Sequence, residues 1–203
     1  MMASGHQVVG FTCGVATLTF LPELVRLPTT SFETTLFFLF VLFGSLLPDI
    51  DTPRSTLGKW FWRLLLIFLL GAVSAYLLVP VIINEYRDEL SIVSMFILPI
   101  LIMVRSHRKM THSILFIFLI GGYCYFIGYF LAVPLNYFIG LLVGVCSHLL
   151  GDVITKKGIP ILYPFSKKHF RFIVTFKTGS LTEKFIVMTL AVANLCFLVI
   201  HVL

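Results

Sequence analysis

The chain has 203 residues, of which 59% are hydrophobic and only 12% are charged, and its mean hydropathy is +1.03. Soluble domains carry about 25% charged residues, so this composition excludes an ordinary soluble fold and predicts a polytopic membrane protein. The formal net charge is +6, but the basic residues lie between the apolar runs, which favours an anionic lipid surface and no nucleic-acid partner.

The apolar runs predict about seven membrane spans in an all-α transmembrane bundle, a single integral membrane domain over residues 1–203. Residues 110–151 contain no formally charged side chain and break at Pro134, which predicts a helical hairpin of two spans. The second and fourth runs are short for a hydrocarbon core of about 30 Å. One of them could therefore be a re-entrant segment and not a full span. The predicted spans are 5–21, 34–47, 64–83, 91–104, the two within 110–151, and 185–203.

The connection before the last span is basic and aromatic. Phe170, Phe172, Val174 and Phe176 recur at every second position, a period typical of a strand. This pattern predicts a short β-like or irregular cytoplasmic segment near 167–179. The tetrapeptide 180–183 follows it with the Ser-x-x-Glu pattern of a helix capping box, which predicts that Glu183 is a cap and not a metal ligand.

The distribution of basic residues predicts the topology. Seven spans place the N terminus and the connections after spans two, four and six on one side, and that side carries 13 of the 15 lysines and arginines. The positive-inside rule then predicts a cytoplasmic N terminus and an outside C terminus. The same count places five of the six histidines and three of the four aspartates on the cytoplasmic side.

Three polar motifs lie at this cytoplasmic edge. Asp49 and Asp51 stand between two prolines straight after an apolar run, where a bent loop would direct both carboxylates at one cation. His148 and Asp152 have the i, i+4 spacing of residues on one helix face. His107, Arg108 and His112 lie in a basic loop, with Thr111 predicted to cap the fifth helix. Each motif alone also fits a structural role, as a polar turn, a basic anchor or a helix end.

Together these motifs predict a metal site with mixed nitrogen and oxygen ligands. Such a set suits Zn²⁺, with Mn²⁺ or Fe as alternatives, and it is large enough for one or two ions. Two ions can activate water and bind the oxygens of a phosphate ester. The predicted catalytic residues are Asp49 or Asp152 as a base and Arg108 for a phosphate oxygen. The predicted ligands are His6, Asp49, Asp51, His107, His112, His148 and Asp152.

The order of these motifs resembles that of a known family. Gly5-His6 is followed by GSLLPDIDTPRSTLG (44–58), HRKMTHS (107–113), SHLLGDVITKKGIPILYPF (147–165) and TGSLTE (178–183). This series resembles the YdjM family of bacterial inner-membrane proteins, which are described as membrane-bound metal-dependent hydrolases. The resemblance covers nearly the whole chain and implies the same seven metal ligands at these positions. The chain departs from the family pattern at Lys109, where glycine is usual.

The sequence therefore predicts a multi-pass hydrolase of the bacterial inner membrane, with a divalent metal at a cytoplasmic interfacial site. The expected partners are membrane lipid and a lipid-phosphate or other amphiphilic substrate, whereas the oligomeric state is left open. Two alternatives remain. A divalent-metal or ion transporter would usually place ionisable residues near the bilayer midplane. A non-catalytic scaffold would use a fully liganded metal to tie helices together.

Overall fold

The computed structural model describes residues 1–21, 28–51, 55–78, 110–131 and 135–202. These ranges contain six α-helices, one 3₁₀ helix and no β-strand, which confirms the predicted all-α class. The helices are α1 (Ala3–Phe20), α2 (Ser31–Gly44), the 3₁₀ helix (Leu47–Asp51), α3 (Thr56–Leu78), α4 (Ile114–Leu131), α5 (Leu135–Val153) and α6 (Leu181–Val202).

Two segments in the described ranges are long and apolar enough to cross a membrane, Leu57–Ala75 in α3 and Leu181–Ile200 in α6. Other apolar helices are shorter, and Ser31–Gly44 is an example. At 1.5 Å per residue its 14 residues extend about 21 Å, which is less than the hydrocarbon core. The predicted seven spans are therefore not confirmed. The predicted fourth span, 91–104, and the end of the third, 79–83, lie outside the described residues.

The described chain separates into two compact units. The first unit consists of Met1–Pro48 and His112–Leu203, and it contains α1, α2, α4, α5 and α6. The second unit is Asp49–Thr111, and its described part contains α3 and the two aspartates of the 3₁₀ helix. The histidines at positions 6, 112 and 148 all belong to the first unit.

In the first unit, α5 packs against α1, α2 and α4. The contact between α2 and α5 is backbone to backbone, because glycines occupy the crossing. A Cβ atom on Gly44 would clash with the carbonyl oxygen of Leu141, and one on Gly144 would clash with that of Val41. Small residues such as these allow a close approach between apolar helices.

Helix α1 packs on α2 and α5 through its own glycines. A Cβ atom on Gly10 would lie 2.9 Å from the Cβ of Ser45, and one on Gly14 would lie 2.9 Å from Cε1 of Phe38. Gly10 and Gly14 form a Gly-x-x-x-Gly pattern, which is typical of close contacts between apolar helices. This packing places the N-terminal turn of α1, which contains His6, beside the end of α5.

Two helices begin with the same capping arrangement. The backbone N–H of Glu183 donates to the hydroxyl of Ser180 at 3.3 Å, and that of Glu33 donates to the hydroxyl of Thr30 at 3.1 Å. Each glutamate reaches back to the backbone N–H one residue before the cap, at 2.6 Å. The N–H and the hydroxyl of Thr29 hold the pKa of Glu33 below its ordinary value. Glu183 therefore belongs to a helix cap, as predicted. It is also fully buried, and its other oxygen accepts from the N–H of Met2 at 2.7 Å.

The predicted β-like segment is irregular. Two isolated bridges join it to the residues that follow α5, a parallel one between Thr155 and Phe176 and an antiparallel one between Ile159 and Phe170. The period of two did not produce a strand, because no strand among the described residues covers either of its faces. Ile173 and Val174, on opposite phases of the pattern, are 98% and 77% exposed.

We expect the Gly144→Ala substitution to destabilise the protein by about 1–3 kcal/mol, because the added methyl group meets the α2 backbone, which cannot rotate away. Thermal unfolding in detergent measures this loss. Gly122→Ala in α4 is the matched control, since in the described part of the chain nothing outside its own helix backbone lies within 4 Å of the added Cβ. Equal melting temperatures for the two variants would contradict the close contact of α2 with α5.

Candidate metal centre

Four of the predicted ligands come together in the first unit. His6 lies in the first turns of α1, His112 in the turn before α4, and His148 and Asp152 one turn apart in α5. The three histidine side chains are buried, and Asp152 is only 16% exposed. Burial of so many polar groups in an apolar bundle is costly unless they pair with one another or with a cation.

His148 has a defined orientation. Its Nδ1 lies 2.7 Å from the backbone carbonyl oxygen of Ser45, just past the end of α2. Because a carbonyl oxygen only accepts, Nδ1 carries the proton and donates it. In the neutral ring the lone pair is then on Nε2. This is the arrangement usual for a metal-binding histidine whose other nitrogen is held by a backbone carbonyl.

The lone pair of His148 points to a cluster of further donor atoms. Nε2 of His148 lies 3.4 Å from Nε2 of His112, and each of these nitrogens lies 3.5 Å from Oδ2 of Asp152. The three ligand atoms all fall within 4.8 Å of one another. When His112 also carries its lone pair on Nε2, these lone pairs and the carboxylate charge face one another, and a shared cation would balance them.

His6 borders the same carboxylate from the other side. Its ring stacks on that of His148, with centroids 3.7 Å apart and an interplanar angle of 9°. Its Nε2 lies 3.2 Å from Oδ1 of Asp152, which also accepts from the amino group of Met1 at 2.5 Å. Nδ1 of His6 is buried, and no hydrogen-bond partner for it exists in the described part of the chain. Gly151 makes room for the ring, because a Cβ there would lie 3.2 Å from Nδ1.

The two aspartates of the second unit lie in the 3₁₀ helix, so their backbone is bent and not extended. The hydroxyl of Thr111 donates to Oδ2 of Asp51 at 3.1 Å, and the hydroxyl of Ser55 donates to the carbonyl oxygen of Asp49 at 2.7 Å. The prediction that Thr111 caps the fifth helix is wrong. That helix, α4, begins at Ile114, so its N-cap position is Ser113, two residues after Thr111, and His112 precedes the helix.

The remaining predicted site residues have other outcomes. His107 and Arg108 lie outside the described residues, so their roles stay predictions. His169, which is not among the predicted ligands, is exposed in the connection after α5. Sequence reasoning missed Ser45 as the partner of His148. A side-chain pattern holds no signal for such a contact, because the group involved is a backbone carbonyl.

The donor set fits a divalent transition metal. Two imidazole nitrogens and one carboxylate oxygen are ligands that Zn²⁺, Mn²⁺ and Fe accept, and no thiol is among them. Three protein ligands are also the number found in catalytic zinc sites, which keep a position open for water or substrate. His112, His148 and Asp152 therefore could hold one metal ion, with His6 next to the carboxylate.

The fold and this cluster define a helical membrane protein with a buried histidine–carboxylate centre. The comparisons with known proteins agree: a family model described as YdjM inner membrane protein matches residues 1–203. The chain therefore belongs to the YdjM family of inner membrane proteins.

Individual proteins are also similar to this chain in sequence. The chain is 34% identical over 156 residues to inner membrane protein YdjM of Escherichia coli (strain K12) and of Shigella flexneri, which covers 72% of this chain and 59% of each relative. It thus spans about three fifths of the length of those relatives. It is also 35% identical over 91 residues to uncharacterized protein YvsG of Bacillus subtilis (strain 168), covering 45% of this chain and 54% of that protein. No solved structure matches the chain.

We expect Gly151→Val to weaken binding of Zn²⁺ about tenfold or more, because the added side chain displaces the His6 ring that supports Asp152. Competition with a chelating dye measures the affinity. Gly122→Val, at a position with no neighbouring atoms within 4 Å, provides the control. If both variants bound Zn²⁺ as tightly as the unmodified protein, His6 would not support the centre.

Proposed function

We propose that the chain is a membrane-bound metal-dependent hydrolase with a cytoplasm-facing interfacial site, acting on a phosphate ester of a lipid or another amphiphile. The single observation that supports this proposal most strongly is the convergence of His112, His148 and Asp152 at the end of α5. Membership of the YdjM family agrees with a place in the inner membrane. The proposal also includes a multi-pass chain with its N terminus in the cytoplasm.

In this proposal, His112, His148 and Asp152 hold the metal. Ser45 fixes the ring of His148 through its carbonyl, so that Nε2 faces the ligand cluster. His6 is a positioning residue, because its Nε2 is within hydrogen-bond distance of Asp152 Oδ1. When bound, a divalent metal supplies Lewis acidity that stabilises the negative charge developing on a phosphate ester.

The chain's own residues account for the orientation of the centre. Asp152 presents its two oxygens to different neighbours, so Oδ2 could bind the metal while Oδ1 accepts a hydrogen bond from Nε2 of His6, which holds the carboxylate in place. The predicted roles of Asp49 as a base and Arg108 as a phosphate-binding residue belong to the same proposal. So do a second metal ion and the further ligands Asp51 and His107.

The ligands that the described part of the first unit brings together favour a hydrolase over a scaffold. They are three, the number found in catalytic zinc sites, whereas a purely structural zinc site is closed by four. The location favours a hydrolase over a transporter, since the cluster lies at the ends of α1 and α5 and not at their middles. A site at helix ends suits a substrate whose reactive group lies in the headgroup region.

We expect the purified protein loaded with Zn²⁺ or Mn²⁺ to release phosphate or a headgroup from at least one member of a panel of lipid phosphate esters. Asp152→Asn should lower the rate by about a hundredfold or more, since it removes a charged metal ligand and the carboxylate that the histidines orient. His169→Gln is the control, because His169 is exposed and outside the cluster.

Two outcomes would contradict the proposal. Metal-loaded, folded protein that hydrolyses no member of the panel would exclude this substrate class. Metal uptake into proteoliposomes that depends on His148 would instead support the transporter.

A further inference from the structure

The connection between α5 and α6 has an unusual surface for a segment outside the helices. Ile173 is 98% exposed and Phe165 is 95% exposed, and Phe172 and Val174 are also largely exposed. Folded proteins rarely leave several large apolar side chains in water within one short segment unless they bind something. We call residues 165–174 the tip.

The tip is held in place by the backbone of its own unit. The N–H of Phe172 donates to the carbonyl of Val153 at 2.9 Å, and Ile159 and Phe170 exchange two hydrogen bonds of 3.0 and 2.8 Å. Phe176 donates to Ile154 at 3.2 Å and closes the loop. These bonds fix the tip against the last turn of α5, so its exposed apolar side chains belong to an ordered element.

The charge of this connection has one sign. Between Asp152 and Glu183 the sequence contains six lysines and arginines and no acidic residue. Three of the basic residues, Lys167, Lys168 and Arg171, are exposed within the tip itself. Apolar side chains flanked by such cations are the composition that binds at an anionic bilayer surface, where the cations contact phosphates and the apolar groups enter the acyl boundary.

We propose that the tip inserts into the interface of an anionic lipid leaflet, with Phe172, Ile173 and Val174 below the headgroups and Lys167, Lys168 and Arg171 among the lipid phosphates. The N–H of Phe172 is hydrogen-bonded to Val153, the residue after Asp152. Insertion of the tip therefore holds the end of α5 at the level of the lipid headgroups. The proposal is independent of hydrolysis, because it concerns the tip's own exposed side chains and would hold in an inactive protein.

Tryptophan fluorescence tests the proposal in the full-length protein. Trp60 and Trp62, the two tryptophans of the chain, are replaced by phenylalanine, and Ile173→Trp places a single probe at the tip. The protein is reconstituted into nanodiscs of phosphatidylcholine alone or mixed with phosphatidylglycerol, each with and without brominated lipid. We expect blue-shifted emission and quenching at least about twofold stronger in the anionic discs.

Charge variants identify the cause of that difference. Reversal of Lys167, Lys168 and Arg171 to glutamate should remove the dependence on phosphatidylglycerol, and their replacement by glutamine should leave an intermediate effect. These side chains are exposed, and unchanged circular dichroism and elution volume verify that the variants fold.

Three results would overturn the proposal. One is solvent-like, unquenched emission in both kinds of disc, and another is equal quenching in both. The third is an emission change caused only by an added RNA or DNA oligonucleotide, which would assign the basic residues to a different partner.

Discussion

The backbone contact between α2 and α5 is the constraint on which the rest of the first unit depends. Glycines at positions 44, 140 and 144 let the two helices approach until the carbonyls of one meet the Cα atoms of the other. That approach brings the carbonyl of Ser45 to the ring of His148. In an apolar bundle the packing of small residues, and not a hydrophobic driving force, sets such a distance. The orientation of His148 therefore follows from the glycines one and two turns away.

The histidine–carboxylate centre is consistent with this rigid support. Asp152 faces three imidazole rings, and the rings are buried among apolar side chains where an uncompensated charge is expensive. Burial also makes each electrostatic interaction stronger than it would be in water, so a cation at the centre would be held tightly. The same carboxylate touches α1 through His6, and the capping glutamate Glu183 fastens the start of α1 to α6. Asp152 thus connects the start of α1 to α5, and Glu183 connects it to α6.

Much of this arrangement was predictable from the sequence, for physical reasons. The i, i+4 spacing of His148 and Asp152 fixes one face of a helix, and the Gly-x-x-x-Gly pattern of α1 indicates a close contact without naming its partner. The approach of His6 was predicted from the motif order and not from any local pattern. The partner of His148 could not be predicted, because it is a backbone carbonyl. The alternating residues near Ile173 indicated a β-like or irregular segment, and the segment is irregular, since a period of two makes a strand only where another strand pairs with it.

We propose that His112, His148 and Asp152 bind one metal ion together. Elemental analysis of the detergent-purified protein after metal-supplemented growth tests it most directly, with His112→Ala, His148→Ala and the exposed control His169→Gln measured beside the unmodified chain. We expect about one or two ions per chain in the unmodified protein and in the control, with at least one ion lost in both alanine variants. Folded, metal-free protein, or equal metal content in all four preparations, would contradict it.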